Sequence, residues 1–414
     1  MYRPKIVIIG AGFGGLAAAK ALSKENVDVT IIDRNNFHTF LPLLYQVSSA
    51  EIEESSIIYP IRGIINRYKN VDFVLGEVLN INFTEKKVAI PGRELFYEHL
   101  ILATGSDNNF YNTEGAAENT FTIKTLDEGI ALRNHILTLF ELADHETDPA
   151  ERKKLLTFVV IGAGATGIEF TAAFAELVRG PLKKDYKHLN FGEVSIVLID
   201  SRDRLVYYMP ETLSDFLAKR LKKLGVTIRH EVRALKITSG SIILNNGETI
   251  RTATVVWTAG VAAATYFKEF GIEFGANGRI KILPTLEIEG TKNAYAIGDV
   301  AGELAMIAPV AIQQGRKAAE NILREIYGKR PVTFAYKDKG FMMVAGRNSG
   351  IARIGNFYFK GFWGWFMWLF AHIFWLIGFK NRSSVLFNWA WDYFFFDRMI
   401  RLIHPTCKRL CRTK

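Results

Sequence analysis

One pattern occurs twice in this chain, and it restricts the fold more than any other feature. Lys5–Gly10 reads as a strand, Gly10-Ala-Gly-Phe-Gly-Gly15 as a turn, Leu16–Lys24 as a helix, and Val27–Asp33 as a second strand. Leu156–Gly162, Gly162-Ala-Gly-Ala-Thr-Gly167, Ile168–Arg179 and Val194–Asp200 repeat the same order. A lone G-x-G-x-x-G says little. A copy that follows a β-branched strand, opens a helix and precedes a strand ending in Asp says that a dinucleotide is held there. Two such copies predict an α/β chain with two Rossmann-like domains.

The chemistry follows from the residue types. Of each glycine triplet, the first permits a tight turn, the second lets backbone approach a pyrophosphate, and the third lets helix and strand pack closely. The helix N-terminus then offers free N–H groups and partial positive charge to phosphate. Asp33 and Asp200 stand where a carboxylate accepts from a ribose hydroxyl, and Asp200 therefore favours NADH over NADPH, with Arg202 and Arg204 close enough in sequence to weaken that preference. Leu100-Ile-Leu-Ala-Thr-Gly105, Thr254-Val-Val-Trp-Thr-Ala-Gly260 and Ala294-Tyr-Ala-Ile-Gly-Asp299 are further strands running into glycine.

Charge and aromatics are unevenly spread. The net charge is +10, and Asn356–Lys414 holds nine basic residues against Asp392 and Asp397, together with six of the seven tryptophans. A basic, aromatic tail with long apolar runs suits an anionic membrane surface better than nucleic acid. Gly361–Phe379 carries no Lys, Arg, Asp or Glu and is long enough to cross a ~30 Å hydrocarbon core. Its tryptophans are spread rather than gathered in two belts, His372 would fall mid-membrane, and basic residues flank both ends, so it is expected to dip into one leaflet. The two cysteines, Cys407 and Cys411, both lie in the tail, which excludes a redox-active pair in the body. The histidines show no metal-ligand spacing, and no metal is expected. No cleavable signal precedes the first strand, so the body is expected to stay in the cytoplasm or an equivalent compartment.

The two glycine folds, with the Ala-Thr-Gly and Ile-Gly-Asp endings, resemble flavoproteins that bind FAD in a first domain and a nicotinamide nucleotide in a second, inserted one. More narrowly, Asp33–Val47, Ala308–Gly315, Ile377–Arg382 and Asn388–Trp391 resemble the type II NADH dehydrogenases, the single-chain, non-proton-pumping NADH:quinone oxidoreductases. The resemblance implies FAD at Gly10, Gly12, Gly14, Gly15, Asp33, Val78, Ala103, Thr104, Gly105, Asp299 and Lys380. It implies NADH at Gly162, Gly164, Gly167, Glu169, Asp200 and Gly260, and a quinone at Gln313 and Gln314. Glu169, placed in the first helical turn after Gly167, and Gln313 are the implied catalytic residues. Pro309 stands where the family has a glutamine, so that contact does not transfer.

The expected domains are FAD-binding over 1–121 and 261–335, NADH-binding over 122–260, and a C-terminal amphipathic helical membrane anchor over 336–414. The expected enzyme is a homodimer on the cytoplasmic face of a bacterial inner membrane, contacting membrane lipids and quinone, and not nucleic acid. Two alternatives stay open: a ferredoxin- or rubredoxin-type reductase with a soluble acceptor, and a non-enzymatic flavoprotein with a basic interaction tail.

Overall fold

The computed structural model describes residues 2–263, 270–275 and 277–404. Cys407, Cys411 and the last four basic residues lie outside them. The chain folds into two compact units, the first formed by Met1–Thr39, Ile58–Asp107 and Val261–Lys339, the second by Phe40–Ile57, Asn108–Gly260 and Gly340–Lys414.

The first unit is built on a five-stranded parallel sheet in the order Ala294–Ala296, His99–Leu102, Lys5–Ile9, Asp28–Asp33, Val71–Leu75. Two of its inner strands, the β-branched Lys5–Ile9 and Asp28–Asp33, are buried over most of their length on both faces, as a covered parallel sheet requires. The helices Phe13–Leu22 and Ala308–Ile326 lie on one face, over a core that includes Ile6, Ile8, Ile31, Ile101 and Tyr295. Pro309 occupies the first turn of the second helix, where its missing N–H has no intrahelical acceptor to lose.

The second unit repeats this order: Phe121–Thr122, Thr254–Trp257, Thr157–Ile161, Ser195–Ile199 and Val226–Arg229 form a parallel sheet. The helix Ala165–Leu177 follows its central strand. The same unit contains an antiparallel sheet of Phe341–Val344, Gly350–Ile354 and Phe357–Gly361. The helix Phe362–Trp375 packs on that sheet, and the approach is close enough that a side chain at Gly364 would overlap the carbonyl of Gly350.

The uncharged stretch is not one helix. It breaks at Leu376–Gly378, and a second helix runs from Phe379 to Phe395. At about 1.5 Å per residue the first piece is too short for a ~30 Å core. Among the described residues no helix is long and apolar enough to cross a membrane. His372 finds partners that the sequence did not reveal: it stacks on Trp368 with centroids 3.9 Å apart, and its Nδ1–H donates to the Trp368 carbonyl at 2.7 Å.

Candidate functional sites

Each sheet carries the same clamped turn at the carboxyl end of its strands. In the first unit, one Asp33 oxygen accepts from the Ala11 N–H at 2.7 Å and the other from the Asn35 N–H at 2.8 Å. In the second, Asp200 accepts from Ala163 N–H at 2.5 Å and from Arg202 N–H at 2.8 Å. Gly10 and Gly162 hold φ of +103° and +105°, which only glycine adopts without strain. Side chains at Gly15 and Gly167 would overlap the carbonyls of Gly10 and Gly162. Gly12 and Gly164 differ: a side chain added at either meets nothing within 4 Å. Each turn is thus rigid where it touches its own sheet and open where a pyrophosphate would approach. Both aspartates, half-buried, hold the turn, a role the sequence did not disclose. Their remaining lone pairs are free for a ribose hydroxyl.

The first unit's residues fit FAD. Ala103, Thr104 and Gly105 follow the strand His99–Leu102, the Ala103 N–H donating to Ile9 at 2.8 Å. Thr104 Oγ1 is buried without a partner. His38 is buried edge-on to Phe13, and its Nδ1–H donates to the Ala11 carbonyl at 2.9 Å. Burial lowers its pKa, which leaves Nε2 a neutral acceptor, also without a partner. A buried acceptor and a buried hydroxyl beside an open glycine are what a bound polar cofactor would satisfy. Asp299 is held by the Ser106 hydroxyl at 3.0 Å. Val78 is partly buried against the core beneath the sheet.

Both glutamines are engaged within this unit. The Gln314 side-chain oxygen accepts from Gly298 N–H at 2.6 Å, tying the helix start to the Gly298–Asp299 turn. Gln313 is bound at both ends of its amide to Lys337, donating to the carbonyl at 2.9 Å and accepting from the N–H at 3.0 Å.

In the second unit, Gly164 and Gly167 flank the start of the helix Ala165–Leu177. Gly260 has φ of +77° and packs against Tyr111. Arg202 stacks over Tyr207 and Arg204 donates to the Tyr207 carbonyl at 2.8 Å, so both guanidinium groups have other partners. Glu169 is not in the first turn, as expected, but one turn further on. The helix dipole therefore does not explain it. It lines a cavity of about 40 Å³ together with Tyr45, Gln46, Glu51, Glu176 and Trp368. Its area is not fully covered, yet surrounding protein strips its carboxyl of water and pushes the pKa up to about 8, against the hydrogen bonds from Val344 N–H at 3.3 Å and from Trp368.

A charged network adjoins this cavity. Arg398, 3% exposed, lies 3.7 Å from Glu51, 3.8 Å from Glu176 and 3.6 Å from Asp392, and donates to the carbonyls of Ser49 and Ala173. Arg347 pairs with Asp392 at 3.3 Å. Burial raises the Glu51 and Glu176 carboxyls in spite of Arg398. Arg398 is thus no part of a membrane-facing charge, and Arg401 pairs with Asp185 and Asp397. Lys380 is exposed, which suits a lysine at headgroup level and lends no support to an FAD contact.

The tail helices turn Trp368, Val385 and Trp389 inward. They expose Phe362, Phe366, Phe370 and Phe374, spaced every four residues, and Phe379, Phe387, Phe394 and Phe395. An apolar surface of this extent marks an interaction face.

Comparison with known proteins agrees with this geometry. Residues 4–315 match the family model "Pyridine nucleotide-disulphide oxidoreductase". The type II NADH:quinone oxidoreductase Ndh of Mycobacterium tuberculosis is 35% identical over 405 residues, covering 94% of this chain and 88% of that protein. NDH2 of Plasmodium falciparum superposes with a TM-score of 0.88 at 21% identity, over 95% of this chain and 99% of that one. The sulfide:quinone oxidoreductase of Aquifex aeolicus shares the fold at a TM-score of 0.76 and 16% identity, over 95% of each chain. The chain belongs to the pyridine nucleotide-disulphide oxidoreductase family, and within it to the type II NADH:quinone oxidoreductases.

Proposed function

We propose that this protein is a membrane-associated NADH:quinone oxidoreductase that pumps no protons. One observation carries the proposal: an identical clamped glycine turn is built once in each unit, on a chain whose tail exposes an aromatic face. Bound FAD supplies the two-electron chemistry between the nicotinamide and the quinone.

The chain's own residues do the rest. Gly10, Gly12, Gly14, Gly15, Asp33, Ala103, Thr104, Gly105 and Asp299 bind and orient the flavin nucleotide, with Val78 packing beside it. Gly162, Gly164, Gly167, Asp200 and Gly260 bind NADH, and Asp200 sets the preference for a free 2′-hydroxyl. Glu169, with a pKa near 8, holds a proton at neutral pH and can donate it, as a hydrogen bond or outright. Gln313 is assigned to the quinone: its Nε2 carries two hydrogens, of which Lys337 takes one. Gln314 sets the helix behind it.

The exposed aromatic stripe is the proposed membrane face, lying in one leaflet on the cytoplasmic side of a bacterial inner membrane. A homodimer is the proposed assembly, checked by light scattering in detergent. The assay is steady-state turnover of the flavin-loaded protein in lipid. NADH oxidation coupled to a short-chain quinone supports the proposal, and turnover with ferredoxin but not quinone favours the soluble-acceptor alternative. A flavin-loaded, membrane-bound preparation without turnover overturns it.

A further inference from the structure

A groove of about 640 Å³ runs along the second unit; it shares Glu176, Arg347 and Asp392 with the cavity of Glu169, but neither Glu169 nor the glycine turn lines it. Six basic side chains line it against two carboxylates, Glu176 and Asp392. Those two are already committed: Glu176 to Arg220 at 2.8 Å and to Arg398, Asp392 to Arg347 at 3.3 Å. Three cations remain, Arg179, Lys219 and Lys223, all exposed and all without a carboxylate partner among the described residues. Lys219 and Lys223 are four apart on the helix Glu211–Lys223, where like charges repel. The helix C-terminus accounts for Lys223, but not for Arg179, which comes from another element and leans over Gly225 to reach the Lys223 carbonyl. At the same groove Ser349 is 5% exposed, and its hydroxyl has no partner. The rim is apolar: Phe396 ends the exposed aromatic surface, and Gly361 begins the aromatic helix.

We infer that this groove binds the phosphate headgroup of an anionic phospholipid. Uncompensated cations beside an unpartnered hydroxyl match a phosphate monoanion, and the adjoining aromatic surface matches its acyl chains. The inference rests on the membrane reading of the tail and adds lipid selectivity to it.

The test is co-sedimentation of the full-length flavin-loaded protein with vesicles of phosphatidylcholine, alone or mixed with phosphatidylglycerol, at fixed ionic strength. Phosphatidylglycerol should raise binding. Lys219→Ala/Lys223→Ala should lose roughly tenfold or more of that gain, with unchanged binding to phosphatidylcholine and unchanged NADH oxidation by a soluble acceptor. Lys222→Ala, on the same helix but outside the groove, should behave as wild type. A gain that the double variant retains, or that Lys222→Ala loses equally, overturns the site. Displacement by millimolar inorganic phosphate that equal chloride does not reproduce assigns the groove to free phosphate and overturns the lipid. Wild-type protein that ignores phosphatidylcholine vesicles counts against the membrane reading instead.

Discussion

The indole N–H of Trp389 donates to the side-chain oxygen of Gln46 at 3.0 Å, across 343 residues of sequence. Gln46 passes the bond on, donating to Glu51 at 3.0 Å. One face of the helix Phe379–Phe395 is thereby tied into the second unit's interior. Trp389→Phe leaves the buried Gln46 oxygen unpaired at a cost of about 1–3 kcal/mol. A lower melting temperature with flavin content retained is expected, and an unchanged one would show that the bond carries no stability.

For the same reason, deleting Gly361–Lys414 should not merely solubilise the protein. Arg398 would leave Glu51 and Glu176 without their shared cation, and the packing of Trp368 would be lost. Replacing Phe366, Phe370 and Phe374 by serine should release the protein from vesicles while keeping its melting temperature within a few degrees. A triple variant that stays bound at wild-type level would place the membrane face elsewhere.

Glu169 gives stability a definite pH sign. Its folded pKa, about 8, lies above the ordinary value of 4.5, so the folded state holds the extra proton between them. The contribution is full below about 4.5 and is lost as pH rises through about 8. Glu169→Gln should flatten the fall in melting temperature between neutral pH and mild alkali, leaving a residual slope from Glu51, whose carboxyl is also raised. Parallel curves for the two proteins would remove Glu169 as the titrating group.

Asp200→Ser should weaken NADH and narrow its advantage over NADPH. Loss of one hydrogen bond to a charged group is worth about 1.5–3 kcal/mol, or roughly tenfold or more in affinity. Because serine cannot clamp both Ala163 and Arg202, some loss should appear with either nucleotide. An unchanged NADH KM and an unchanged ratio would place the ribose elsewhere.

Gln313→Ala should reduce turnover with quinone more than with an artificial one-electron acceptor. Its two hydrogen bonds to Lys337 supply the competing explanation. Equal losses in both assays would confine Gln313 to holding Lys337.

The fold was legible because the glycine turns are local. Chain spacing alone brings Gly10, Asp33 and Ala11 together, and both sheets follow from β-branched runs ending at glycine. The same logic set Asp200 at the end of its strand but missed its clamp on Ala163, since a carboxylate facing a ribose and one holding a turn look alike in sequence. The Glu51–Arg398–Glu176 network left no trace. Its members come from three distant segments with no common period, and Arg398 sat among nine tail cations that read as one surface charge. Glu169 was misplaced by one turn because the helix opens inside the glycine motif, at Ala165, rather than after it.

Electron transfer from NADH through a bound flavin to a quinone is the activity on which everything above depends. The most direct measurement is the visible spectrum of the purified protein under anaerobic conditions, before NADH, after it, and after a quinone analogue. Flavin absorbance that NADH bleaches and the quinone restores is the expected result. A protein that binds no flavin, or one whose flavin NADH leaves oxidised, would contradict it, as would bleached flavin that the quinone fails to restore.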